Sequence, residues 1–394
     1  MRRLIVVGAG PAGLSLALQL ARAGQPVTLL DARRDFARSL RGEALMPCGL
    51  EVLARLGLWS RLESLPQRAL AGWSVWLEGR ELFHVAEPMG ALQPCRLVPQ
   101  QALLEALLQQ AEALPCFRWM PAAAVAGLLE HSGRVQGVRL ADGRELNADL
   151  VIGCDGRDSI VRRAAGLALQ PLGPPLELLW LVLPHRVLQN ERLPAGFLTL
   201  VAGGAIASAC LGASGELQLG WLLTPGEATP QRSPMAWAEA IAALAPAELA
   251  AVLRRHGADL GRPQRFTVQV GQAERWQRPG LLLLGDAAHP MSPIRAQGIN
   301  QALRDSLVAA RELLNVPAHS QGLDQACARI EALRRPEIER LQGLQLAETR
   351  QGHTIGHNAL LRQGLAWAAP LLGPVARAVW IARQRPLREG AAWL

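Results

Sequence analysis

Residues 2–8, Arg-Arg-Leu-Ile-Val-Val-Gly, place four apolar side chains in a row between charged residues and a glycine, as a short strand buried on both faces does. After the turn Gly-Ala-Gly-Pro-Ala-Gly, apolar positions recur at helical spacing from about Ala12 to Ala23, and Pro-Val-Thr-Leu-Leu-Asp then reads as a second strand. A β-α-β unit is expected over 2–31. Helical spacing returns over 49–59 and 100–114. Between those helices, 72–85 reads as a hairpin turning at Glu78-Gly79. Further on, 134–152 reads as a hairpin around Asp142-Gly143 that runs into the buried strand Asp-Leu-Val-Ile-Gly.

From about 171 to 270 the pattern is β-rich, with Leu-Glu-Leu-Leu-Trp-Leu-Val-Leu the clearest strand and a helix near 234–254. Gly-Leu-Leu-Leu-Leu-Gly-Asp at 280–286 returns to the first pattern. Helices are expected over 297–315 and 323–350, and 359–383 reads as helical, apolar and Arg-bearing, broken by Pro370 and Pro374. The organisation implied is discontinuous. Residues 1–70, 90–170 and 271–345 form an α/β unit, 71–89 and 171–270 a β-rich unit, and 346–394 a C-terminal helical segment.

Composition narrows the chemistry. Half the residues are hydrophobic and 19% charged, which suits a packed core rather than disorder. Every basic side chain is Arg, so a Lys nucleophile or Schiff base is excluded, and the absence of Tyr excludes a phenol relay. The formal charge of +8 comes from scattered arginines rather than a patch or tail, so no nucleic-acid partner is expected. The six cysteines form no Cys-x-x-Cys pair, and a reduced, cytoplasmic protein without structural zinc is the expectation. Residues 4–7 end at a glycine turn rather than a cleavage site, and no run of apolar residues is long enough to span a bilayer. His353 and His357 have the i, i+4 spacing of two metal ligands but no evident third, so no metal is expected.

The turn at 8–13 carries the dinucleotide fingerprint in its structural context. Gly8 permits the tight turn, Gly10 lets the backbone approach a pyrophosphate, and Gly13 lets the helix pack closely on the strand. Asp31, ending the second strand, is placed to accept hydrogen bonds from a ribose. Two further motifs follow in order: Gly-Cys-Asp-Gly-Arg-Asp-Ser-Ile-Val-Arg-Arg at 153–163, and Leu-Leu-Leu-Gly-Asp-Ala-Ala-His-Pro-Met-Ser-Pro-Ile-Arg-Ala-Gln-Gly-Ile-Asn from 282 to 300. Together the three motifs resemble the single-component FAD-dependent aromatic hydroxylases, the para-hydroxybenzoate hydroxylase-like flavoprotein monooxygenases. The α/β unit is then a Rossmann-like FAD-binding domain, interleaved with a β-sheet-rich substrate domain and followed by C-terminal helices.

That resemblance implies a set of cofactor contacts. Gly8, Gly10, Pro11, Ala12 and Gly13 would cradle the FAD pyrophosphate, with Asp31 on the ribose and Asp155 near the pyrophosphate. Gly285 and Asp286 would hold the ribityl chain, and Gln297, Gly298, Ile299 and Asn300 would open a helix at the flavin's pyrimidine edge. Pro293 would lie at the reactive face. Arg41, Arg96 and Gln100 match positions near the flavin, with Arg41 and Pro293 the catalytic candidates. Arg162 would order its segment and meet the nicotinamide. Ala296 stands where the family usually has glycine, so a loop shifted toward negative φ is expected. Cys154 and His289 read as packing and turn-orienting residues. Trp73, Trp180 and Trp221, with Trp76, suggest an aromatic-lined pocket.

The activity implied is monooxygenation: NADPH or NADH reduces FAD, O2 adds to give a C4a-hydroperoxyflavin, and one oxygen atom hydroxylates or epoxidises an aromatic or hydrophobic molecule. A polyprenyl or isoprenoid reductase on the same scaffold is the alternative. A flavin halogenase is excluded because Gly-Trp-Ser-Val-Trp departs from that family's motif and the chain has no Lys. The apolar, Arg-bearing segment 359–383 is expected to cover the substrate entrance, with a peripheral membrane contact as a further expectation.

Overall fold

A computed structural model describes residues 2–37, 43–90, 93–224, 226–316 and 320–390. The strand Leu4–Val7 is buried throughout, and the helix Pro11–Arg22 returns the chain to the parallel strand Val27–Leu30 with Leu4 opposite Val27. Leu150–Gly153 pairs on the other side, Leu4 against Leu150, and the six-stranded sheet runs 277–278, 281–283, 150–153, 4–7, 27–30, 117–120. All neighbours are parallel except the two-residue edge strand Gln277–Arg278. One face packs on the helices Pro11–Arg22, Gln100–Glu112 and Gln297–Leu314. The other is covered by a small antiparallel sheet, Val125–His131, Arg134–Leu140 and Glu145–Asn147. The hairpin around Asp142-Gly143 is present, but Val125–His131, which pairs with its first strand through a turn at Ser132-Gly133, is an addition. The irregular apolar spacing of Val-Ala-Gly-Leu-Leu-Glu-His conceals it.

The second sheet has seven strands in the order 264–268, 176–183, 217–223, 205–211, 197–202, 72–77, 80–86. Pairing is antiparallel apart from Phe197–Ala202 beside Gly72–Leu77. The hairpin at 72–86 turns at Glu78 and Gly79, with φ of 48° and 74°, the left-handed pair that a two-residue turn of matching twist demands. Along Leu176–Leu183, Leu179, Leu181 and Leu183 point into a core capped by Pro234–Ala242 and Ala247–His256, while Leu178 and Trp180 face the opposite side. The single helix expected near 234–254 is two because Pro246 disfavours helical backbone at the residue before it.

The helix Ser320–His357, roughly 57 Å at 1.5 Å per residue, packs on the first sheet's layer and ends with Gly352 and Gly356 against Ile206 of the second. Ala359–Trp367 and Ala369–Glu389 follow, bent by 101°. The break falls at Ala368 rather than at the prolines: Pro370 begins the second helix, where a missing amide costs nothing, and Pro374 lies inside it.

Candidate active site

The two sheets and the C-terminal helix enclose a cavity of about 1580 Å3. Its first end is the glycine turn. Gly8 has φ of 101°, and a Cβ there would meet the Cys154 carbonyl oxygen at 2.4 Å; one on Gly13 would meet the Gly8 carbonyl oxygen at 2.0 Å. Side chains at either position would push the helix off the strand. Gly10, by contrast, has nothing within 4 Å of the place a Cβ would take, so its backbone opens onto free space beside Pro11 and Ala12. Asp31 borders the same space, accepting hydrogen bonds from the Ala9 amide at 2.8 Å and the Arg33 amide at 2.9 Å. It holds the turn in shape as well as facing the cavity. Cys154 packs on Gly13, with its thiol pushed up by burial.

Midway along, Gly285 and Asp286 follow the buried strand Leu281–Leu283. Asp286 pairs loosely with Arg157, 3.3 Å, and its Oδ1 lies 3.8 Å from where a Gly298 side chain would begin. Asp155 borders the cavity while accepting from the Ser159 hydroxyl at 2.5 Å and the Val161 amide at 3.1 Å, a local cap for Ile160–Ala164. Arg162 is buried and donates to the Ala287 and Arg157 carbonyls, both at 2.8 Å. It orders the segment and also lines the cavity.

The loop Pro293–Ala296 departs from expectation. Ala296 keeps the left-handed backbone a glycine would adopt, φ 48°, and Arg295 before it has φ 59°. Two such residues cost on the order of 1–3 kcal/mol each. Arg295 offsets this through its side chain: the guanidinium sits 5.3 Å from the Trp73 ring and 4.8 Å from the Trp380 ring, and pairs with Glu348 through Nε at 2.9 Å. Gly298 and Ile299 then open the helix Gln297–Leu314 toward the cavity, with no side chain capping its first amides. Gln297 and Asn300 do not line the cavity. Gln297 donates to the Arg295 and Leu387 carbonyls, and Asn300 holds the backbone of Ala44, Met46 and Ala296. Their side chains brace the loop, while the helix they were expected to open does begin at Gln297. Arg96 is likewise turned away, bonded to Gln67 at 2.8 Å and stacked over Trp59, whereas Gln100 lines the cavity. Arg41 lies outside the described residues.

Of the tryptophans, Trp73 and Trp180 line the far end. Trp221 borders it, but its ring packs edge-on to Trp237 under Arg232, on the helix-covered face of the sheet; Trp76 packs on that face too. Glu43, which the motifs did not single out, lines the cavity and accepts from Gln218 at 3.1 Å and the Ala213 amide at 3.3 Å. Burial and the neighbouring Glu216 hold its carboxyl above the ordinary range. Asp305, also missed, anchors Gly285 from beneath, accepting from its amide at 2.9 Å and bonding His289 at 2.7 Å and Arg334 at 2.8 Å. His289 is thereby the turn-orienting residue expected. His353 and His357 stack on an exposed turn, and no group of three or more candidate metal ligands occurs among the described residues.

The protein family described as the FAD binding domain matches residues 2–337. The chain is also 35% identical over 356 residues to 6-methylpretetramide 4-monooxygenase of Streptomyces rimosus, covering 88% of this chain and 83% of that protein. The chain belongs to the FAD-dependent aromatic monooxygenase family. Ubiquinone hydroxylase UbiL of Rhodospirillum rubrum is a second relative of this monooxygenase, 32% identical over 365 residues, 85% of this chain and 78% of that one. The crystal structure of Pseudomonas aeruginosa PqsL in complex with 2-aminobenzoylacetate shares the fold, with a TM-score of 0.76 and 22% identity over 93% of this chain and 98% of that one. The names of the relatives set the reductase alternative aside. Two features of the monooxygenase's own atoms fit FAD: the open space in front of Gly10, and the buried Gln100 Oε1, an acceptor on the cavity wall with no hydrogen-bond partner.

Proposed function

We propose that this monooxygenase holds FAD along Gly8–Gly13, Asp31, Gly285, Asp286, Gly298 and Ile299, takes reducing equivalents from NADPH or NADH, and oxygenates a flat, hydrophobic aromatic molecule against Trp73 and Trp180. The observation that carries this reading is the continuity of the cavity, which joins the glycine turn to the apolar face of the second sheet past Pro293. Its volume exceeds the usual range for a single small ligand, roughly 300–1,000 Å3, and leaves room for cofactor and substrate together. Relatives named for a pretetramide and for ubiquinone support a substrate larger than one benzene ring.

Bound FAD supplies the electrons that activate O2 for transfer of one oxygen atom. The chain supplies the surroundings. Helix amides at Gly298 and Ile299 favour negative charge beside them, and Leu178, Val201, Leu222 and Phe266 keep water from the substrate end. Glu43, its carboxyl raised by burial, is positioned to accept a proton from a substrate hydroxyl, a task no tyrosine can perform in this chain. With a single dinucleotide fingerprint, the nicotinamide docks transiently on a groove rather than in a domain of its own.

Substrate-stimulated NAD(P)H oxidation with matching O2 uptake, measured across polycyclic phenols and quinols, tests the reading. A stoichiometric oxygenated product is expected. Reduction of the substrate without O2 uptake would return the assignment to the reductase class.

A further inference from the structure

Nine large apolar side chains are exposed among the described residues, and seven of them lie between 360 and 379. Leu360 is 84% exposed, Trp367 76%, Leu371 78% and Val375 63%, with Leu361, Leu372 and Val379 beside them. They are not the loose end of a poorly packed helix. On Ala369–Glu389 the opposite face is buried through Ala369, Gly373, Gln384 and Leu387, and Gly373 sits so close to the strand Arg80–Ala86 that a Cβ would meet the Leu82 carbonyl oxygen at 2.4 Å. Leu372, Val375 and Val379 recur at i, i+3 and i+7, a helical stripe facing solvent. Isolated exposed apolar residues are ordinary, but a contiguous group is not.

Charge decides what covers this face. No Asp or Glu occurs from 349 to 388, while Arg350, Arg377, Arg383 and Arg385 are exposed there; Arg385 pairs with Glu389 just beyond. Arg362 and Arg388, the remaining two, are buried against Glu78 and Glu87. An apolar stripe with a Trp and exposed arginines on the same stretch of chain, a stretch without acids of its own, matches an anionic bilayer interface; Glu81, on the strand Arg80–Ala86 beneath, is the exposed acid next to it. A second copy of this chain fits less well, since a twofold contact would set the same arginines against one another. No single helix is long and apolar enough to cross a membrane; the bent pair passes that test only when its two helices are taken together, and one face of Ala369–Glu389 is already packed on the strand Arg80–Ala86.

We propose that the bent pair Ala359–Trp367 and Ala369–Glu389 is a docking surface for an anionic lipid bilayer. The same helix meets the cavity from behind through Ala376, Val379, Trp380, Gln384 and Leu387, with Gln351, Gly352 and Ile355 alongside. Docking therefore places the substrate end of the cavity at the membrane surface, where a lipophilic molecule passes between helix and sheet without crossing water.

The test is sedimentation of the full-length protein with phosphatidylcholine vesicles, with and without phosphatidylglycerol, at low and high salt. Binding to the anionic vesicles is expected. It should weaken by about tenfold or more both in a triple variant Trp367→Ser, Leu371→Ser, Val375→Ser and in the double variant Arg350→Glu, Arg377→Glu. Met235→Ser, an exposed apolar residue elsewhere, should leave it unchanged. Absence of binding overturns the proposal, as does binding that survives the triple variant, because charge alone then suffices. Self-association abolished by the triple variant, without vesicle binding, assigns the face to a second copy and also overturns it. None of these outcomes depends on the oxygenation reaction, which is read separately by O2 uptake.

Discussion

Two carboxylates that look alike in the motifs do different work. Asp31 spends both oxygens on the amides of Ala9 and Arg33, which shape the glycine turn whether or not a cofactor is present. Asp286 has one long contact, to Arg157 at 3.3 Å on a partly exposed pair, which contributes on the order of 0–1 kcal/mol. Replacing Asp286 with Ala should therefore weaken FAD binding while leaving the melting temperature of the cofactor-free protein nearly unchanged. Asp31→Ala should lower that melting temperature as well, since orphaning a backbone donor costs about 1–3 kcal/mol. FAD titration and thermal melts of the apo forms check this; a melting loss in Asp286→Ala equal to that in Asp31→Ala would make Asp286 a structural residue. The roles of Gly8 and Gly13 were legible because a strand-turn-helix crossing makes local demands on φ and on side-chain volume. Glu43, Asp305 and the stack of Arg295 between Trp73 and Trp380 were not, because their partners lie far along the chain, 175 residues for Glu43 and Gln218, and no spacing announces them.

At the scale of elements, Asp305 joins three pieces of chain. It lies in the helix Gln297–Leu314, holds the Gly285 turn through its amide and His289, and reaches Arg334 of the helix Ser320–His357. Burial alone would raise its pKa, but the His289 ring and the Arg334 guanidinium outweigh that and lower it from 3.8 to about 2. A depressed folded-state value means the carboxylate contributes stability above the ordinary value, and that this contribution is lost as pH falls from about 4 toward 2. The urea midpoint of the wild type should fall across that window. Asp305→Asn should flatten this part of the profile and cost about 1–3 kcal/mol at neutral pH, because Arg334 and His289 lose their shared carboxylate while Arg334 keeps Glu337 and Gln301. An unaltered profile in the variant would place the acid sensitivity elsewhere. Element type was mostly readable from periodicity; element facing was less so. Trp221 was expected in the pocket and borders it, but its ring packs on Trp237 at the helix side. Alternation along a strand names two faces without saying which one the helices Pro234–Ala242 and Ala247–His256 will cover.

For the whole molecule, the cavity is closed on one side by the helix Ala369–Glu389 beside the end of Ser320–His357, and the fit of the former depends on Gly373 against the Leu82 carbonyl. A helix held this way walls the substrate end without touching the glycine turn proposed to hold FAD. Gly373→Ala puts a methyl group 2.4 Å from that oxygen, too close for real atoms, so the helix has to move away from the edge strand Arg80–Ala86 on which it packs. Trp380 and Gln384 move with it, loosening the stack over Arg295 and the Gln384–Glu348 contact of 3.3 Å. Flavin content should stay at the wild-type level, because Gly8–Gly13, Asp31 and Asp286 lie outside the affected wall. What should change is the fate of the oxygen. With water admitted, a larger share of the NAD(P)H consumed in the presence of substrate should appear as hydrogen peroxide and a smaller share as oxygenated product, with total O2 uptake maintained. Peroxide and product assayed in the same reaction decide the point: an unchanged ratio would mean that the seal lies in the sheet and the loop at Pro293 rather than in this helix.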